Sequence, residues 1–168
     1  EVGGSALLVD CLIAYNEAPQ AGGALHVSCG GSARLVNCTL YGNTAGQRGG
    51  GIDLAGGKLE LERCTIAGNT SAGKGQAFFN RGEVSMRGCL LASKAGSAYF
   101  LSADGGGEPG RGYFVVNEGN FCESGGLPGA AEGRAELGPL ADNGGPVWTA
   151  LPPPASPATG YGARPAGP

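Results

Sequence analysis

The chain has 168 residues; 35 are glycine, 41% are apolar, 15% are charged, and the net charge is −3. That length is enough for one domain with a buried core, and the apolar fraction argues against simple disorder. There is no Gly-X-Y period, which excludes collagen; no basic run, which removes a nucleic-acid footprint; and no stretch apolar enough to insert into a membrane.

Glycine this abundant in an apolar chain predicts short strands joined by many tight turns. A strand pattern is under way by residue 5, with no visible signal peptide before it, so the chain is expected to be part of a longer protein. In chain order, four segments read as copies of one unit: "SALLVDCLIAYN", "SARLVNCTLYGN", "KLELERCTIAGN" and "EVSMRGCLLASK". Their cysteines, Cys11, Cys38, Cys64 and Cys89, are 27, 26 and 25 residues apart. Three copies are followed by a Gly/Ala cluster and an apolar residue, in "GGALHV", "GGGIDL" and "GQAFFN".

Within each copy the apolar period is two, as in a strand. The columns Ala6, Ala33, Leu59, Val84 and Leu8, Leu35, Leu61, Met86 are expected to point inward, followed by the cysteines and by Ile13, Leu40, Ile66, Leu91. Parity breaks once per copy, which places a bend at Asp10, Asn37, Arg63 and Gly88. A further strand brings in Leu25, Ile52 and Phe78. Glycine interrupts every candidate helix, and no 3.6-residue period is present.

Three short strands and two or three bends make one coil of a parallel β-solenoid, with rungs about 4.8 Å apart. Arg34 then falls beside Glu60, and Glu62 beside Arg87, on adjacent rungs. The coils are expected over residues 1–122, irregular from about 105, with "GYFVVNEGNFC" in the last. Residues 123–168 form a Gly/Pro-rich tail that carries Leu137, Leu140, Val147, Trp148 and Leu151. It is expected to fold across the end of the solenoid, whose strand edge needs a cap, and to fray after about residue 158.

The pairing of "GGAL" with "IAYN", and of "GGGI" with "LYGN", resembles the right-handed β-helix repeats of polymorphic outer-membrane proteins and related bacterial surface proteins. The tail resembles the choice-of-anchor Q family more closely: "LGPLADNGGP" at 137–146, "TAL" at 149–151 and "SPA" at 156–158 follow that family's ending. The family's His before "AL" is absent, and its late Asp is Gly160 here. The resemblance spans residues 3–162 and implies a single-stranded right-handed parallel β-helix of the pectin-lyase-like kind, with about five coils. It also implies a secreted or cell-surface bacterial passenger with no common activity.

The chemistry-bearing residues are weighed on that scaffold. Thiols about 26 residues apart, one per coil, form a straight ladder that cannot wrap a metal tetrahedrally; they read as small buried hydrophobes. Cys29 and Cys122 lie outside the column, as a pair or as two lone thiols. Asn16, Asn43 and Asn69 each end a strand, where stacked amides form a ladder. His26 neighbours Asp53 on the next rung, and both face outward as a solvated pair. Thr39 and Thr65 stack outward in a column continued by Leu12 and Leu90. The outward Leu7, Val9 and Leu12 make the first coil apolar on its outside.

No catalytic, cofactor-binding or metal-ligating residue is assigned. The favoured reading is a non-enzymatic passenger in adhesion or as a rigid spacer, with a glycan or a host or cell-surface protein as partner. The alternative is a polysaccharide-active β-helix enzyme, a lyase or glycoside hydrolase. It requires at least two carboxylates and a basic residue in one groove.

Overall fold

The structure is a computed structural model that describes residues 4–93, 99–101, 113–123, 127 and 129–162. Every strand pair within its sheets is parallel, and among the described residues there is no helix. Successive passes of the chain stack into a β-solenoid, as the two-residue period implies.

Four faces run along the solenoid. Face I holds Ser5–Val9, Ser32–Val36, Lys58–Glu62, Glu83–Arg87 and Tyr113–Glu118. Face II holds Leu12–Ala14, Thr39–Tyr41, Thr65–Ala67, Leu90–Ala92, Phe121–Cys122 and Ala131–Glu132. Face III is a narrow sheet of two-residue strands, Glu17–Ala18, Thr44–Ala45 and Thr70–Ser71. Face IV holds Leu25–Val27, Ile52–Leu54, Phe78–Asn80 and Tyr99–Leu101. Among the described residues the first three coils therefore have four strands each, not the three expected: a two-residue strand is too short to leave a periodic signal.

The inward columns align rung by rung. Ala6 pairs with Ala33, Ala33 with Leu59 and Leu59 with Val84, while Leu25, Ile52 and Phe78 do the same on face IV. Together they build one core in which Leu35, Leu40, Ile52, Phe78 and Met86 are fully buried. Burying each such side chain stabilises the fold by about 1.5–3 kcal/mol. At the open first rung Leu8, Cys11 and Ile13 are only partly buried.

The corner between faces I and II lies where parity breaks. Asp10, Asn37, Arg63, Gly88 and Gly119 all adopt left-handed φ, between 50° and 60°. In that conformation one residue reverses the side-chain parity, so the cysteine three residues after an inward leucine also points inward. Elsewhere rungs approach too closely for any side chain: a Cβ on Gly50 would stand 2.3 Å from the Thr70 carbonyl oxygen. The strand of the last coil, Tyr113–Glu118, carries one extra residue opposite Val84/Ser85, a β-bulge.

The tail does more than cross the end. Ala131–Glu132 lies on Phe121–Cys122 and extends face II by one rung. The chain then runs along the outside of face II, where Ala135, Leu137, Ala158 and Tyr161 pack on Ala67, Leu90, Ala92 and Phe121 as a second apolar cluster. Three expectations are corrected here. Thr39 and Thr65 point outward but are buried, with Gly162 against Thr65. The chain is held as far as Gly162, whose amide donates to the Gly88 carbonyl while Tyr161 packs against Phe121, and residues 163–168 lie outside the described residues. Trp148 does not cap apolar core, being 53% exposed.

Candidate functional site

The cysteine column lies just past the first corner. Cys38, Cys64 and Cys89 are buried, Cys11 is half-buried, and all six cysteines of the chain are free thiols. Each column thiol donates to the carbonyl two residues back: Cys11 to Val9, Cys38 to Val36, Cys64 to Glu62 and Cys89 to Arg87, at 3.2–3.4 Å. The Cys38 thiol is pushed far above its ordinary range by its hydrogen bond to Cys64 and then by burial. At Cys64 the hydrogen bond from Cys38 acts downward, but the bond to Cys89 and burial outweigh it and the thiol is raised. Neutral buried thiols are poor nucleophiles and poor metal ligands. Among the described residues no three of His, Cys, Asp and Glu gather closely enough to hold a metal ion.

Cys29 and Cys122 are not a pair. Cys29 is exposed in a turn, and its thiol donates to the Ala55 carbonyl at 3.3 Å. Cys122 is buried in the inward column of Leu91. Burial pushes its thiol up to about 12, with Glu132 and Glu123 adding to the rise. The place of a fifth column cysteine is taken by Asn120, which accepts from the Cys89 amide at 2.8 Å and donates to the Met86 carbonyl at 3.0 Å.

The asparagines stand between faces II and III. The Asn43 Oδ1 accepts from both the backbone and side-chain nitrogens of Asn16, at 2.9 and 3.0 Å. The Asn69 Oδ1 accepts from the same two atoms of Asn43, both at 2.9 Å. The Nδ2 of Asn43 and of Asn69 also donate to carbonyls one rung back, Ile13 and Leu40. These amides are consumed by the backbone they support.

On face IV, His26 and Asp53 are register partners, but they are not a solvated pair. The Asp53 carboxylate is fully buried on the outer side of the sheet. It accepts from Arg48 Nε at 2.9 Å and sits 2.8 Å from His26 Nδ1. Arg48 and Arg81 lie over the ring of Phe79, the next residue in that outward column, at 5.4 and 5.9 Å from its centroid. An aspartate held by a guanidinium is satisfied twice over. Sequence reading missed this because Arg48 reaches in from the turn before its strand.

On face I, Arg34 pairs with Glu60 at 3.1 Å and with Glu62 at 3.4 Å. Glu62 and Arg87 are register neighbours, but Arg87 turns to Glu118 and Glu62 also contacts Arg63. Asp142 accepts from the Gly144 amide and closes its turn, which Asn143 ties to Thr149.

A concavity lies between face II and the tail. It has a volume of about 850 Å³; Ala67, Gly68 and Ala92 form part of its lining, with Tyr41 beside them, and the tail contributes Glu132, Arg134, Glu136 and Leu137. Glu123 also lines it and accepts from the Ala135 amide at 3.2 Å. The groove thus gathers the carboxylates and basic residue that a polysaccharide enzyme requires, none of them singled out in the sequence. The available signal was the cluster of charge at Glu132, Arg134 and Glu136, set in a tail rich in Gly, Pro and Ala. Comparison with family models, curated proteins and solved structures finds no match to this chain.

Proposed function

We propose that this chain is a non-enzymatic, secreted or surface-displayed passenger, a right-handed β-helix that presents a binding flank in adhesion and serves as a rigid spacer. The single observation that carries the reading is the division of polar groups between tied and open. The chemistry-bearing residues of the repeat are consumed internally: Asp53 by Arg48 and His26, Cys38, Cys64 and Cys89 by burial, the ladder amides by neighbouring rungs. The features left facing solvent are an open groove and exposed tyrosine, which is recognition chemistry. The likeness of the "LGPLADNGGP" tail to the choice-of-anchor Q family supports the surface location and the bacterial origin. A stiff stack of rungs suits both display and extended contact. The partner on this reading is a glycan or a host or cell-surface protein.

One observation favours the polysaccharide-enzyme alternative: Glu123, Glu132, Glu136 and Arg134 line the same groove. A single experiment separates the two. The purified chain, immobilised, is offered a panel of glycans and cell-surface proteins while the solution is assayed for new reducing ends and unsaturated products. The passenger reading expects saturable binding to a member of the panel and no product. Product that accumulates with time, and stops with Glu132→Gln or Glu136→Gln, would establish the enzyme instead.

A further inference from the structure

The residue before each ladder asparagine occupies a left-handed turn: Tyr15, Gly42 and Gly68 have φ of 58°, 66° and 63°. Glycine adopts this conformation freely, whereas a tyrosine there is strained. The strained Tyr15 side chain does not go into the core; it is 71% exposed. Its ring lies on the next rung's Gly42, where a Cβ would come within 2.8 Å of it. Tyr41, one column earlier, lies over Gly68 in the same way. The two rings meet edge to face with centroids 5.9 Å apart. They form a step that climbs the flank by one rung and ends in the groove, which Tyr41 lines. Across the groove Glu136 is also left-handed, with φ of 51°, and exposed. The foot of the step and the far wall of the groove thus each hold a left-handed, exposed residue, Tyr15 and Glu136, a pattern that clusters at functional sites.

We infer that this tyrosine step and groove form a binding site for a glycan bearing free amino sugars. The inference rests on the passenger reading above and gives it a ligand class. A volume of about 850 Å³ is within the range of ligand sites. Sugar rings have an apolar face that stacks on tyrosine, and their hydroxyls hydrogen-bond to carboxylates. The charge of the groove selects among sugars: among the described residues that line it, Glu123, Glu132 and Glu136 outnumber the one basic side chain, Arg134. An ammonium group is attracted by the carboxylates and by the tyrosine faces, whereas uronate or sulfate is repelled. A peptide fits less well, because the floor is glycine and alanine, and the alanine strands already pair with the rungs on either side, so the floor offers little for an added strand to bond.

The test is calorimetric titration of the intact chain with short glucosamine oligomers, with their N-acetylated counterparts, with galacturonate oligomers and with a lysine-rich peptide. Glucosamine oligomers are expected to bind, N-acetylated ones more weakly and galacturonate not at all. Tyr15→Gly relieves the strained φ, so it is expected to keep or raise stability while weakening binding about fivefold. Glu132→Gln with Glu136→Gln is expected to weaken it about tenfold and to abolish the preference for the free amine. No binding of glucosamine oligomers, equal binding by Tyr15→Gly, or tighter binding of galacturonate would overturn the inference. Tighter binding of the peptide would overturn the ligand class. Adhesion to other panel members would still stand in each case, so failure here is distinct from failure of the passenger reading.

Discussion

Asn43 shows how one side chain holds three rungs. Its amide nitrogen donates to Asn69 and to the Ile13 and Tyr41 carbonyls, and its oxygen accepts twice from Asn16. Asn43→Ala leaves several of these buried groups unpaired, at about 1–3 kcal/mol each. Some repair by relaxation, and a net loss of about 2–4 kcal/mol is expected in urea denaturation. The thiols give a second residue-scale prediction. Cys38, Cys64 and Cys122 are all pushed above the ordinary thiol value of 9.0 by their neighbours and by burial. The unfolded chain releases these protons near pH 9 while the folded chain keeps them. Their contribution to stability is therefore whole below pH 9 and falls as pH rises toward the folded values, by about 1.4 kcal/mol per pH unit for each thiol. Denaturation midpoints measured between pH 8 and 11 are expected to drop steeply above 9. Replacing Cys38 and Cys64 by Ala should flatten that drop.

At the scale of elements, the faces differ in how their charges are held, and a paired comparison reads the difference. Glu60 on face I is exposed, so Glu60→Ala is expected to cost about 0–1 kcal/mol. Asp53 on face IV is fully buried beside Arg48 and His26, so Asp53→Ala is expected to cost about 3–5 kcal/mol. Chemical denaturation of both variants under the same conditions checks it. The sequence made face I legible because its five-residue strands alternate cleanly and Arg34 aligns with Glu60 in the repeat. The same alignment put His26 beside Asp53 but left the pair in solvent. Arg48 is five residues from Asp53 along the chain and belongs to a turn, where a periodic reading carries no direction. The two-residue strands of face III escaped for a related reason, since Thr44 and Ala45 are too few to show a period. The turn between faces I and II was legible, because a single parity break repeated in four copies.

For the whole molecule, the solenoid core explains most of the sequence, and the tail redistributes what remains. By lying along face II it packs on Thr65, Leu90 and Phe121 and forms one wall of the groove. That covers Thr65 in the threonine column and opens a new wall of Glu132, Arg134 and Glu136. None of this was legible in the repeat, because the tail has no period and its docking depends on contacts made across the whole chain: Gly162 meets Gly88, and Tyr161 meets Phe121. Tyr15 was visible as the one copy with "YN" where two others have "GN". Its meaning required the left-handed φ and the neighbouring ring. The proposed working surface is this flank, and the ladders and the His26–Asp53–Arg48 cluster hold the fold. Amide chemical-shift mapping during titration with glucosamine oligomers tests that placement most directly. Shifts confined to Tyr15, Tyr41, Gly68, Ser93 and residues 132–138 are the predicted result; shifts centred on His26, Arg48 and Phe79, or none at all, would contradict it.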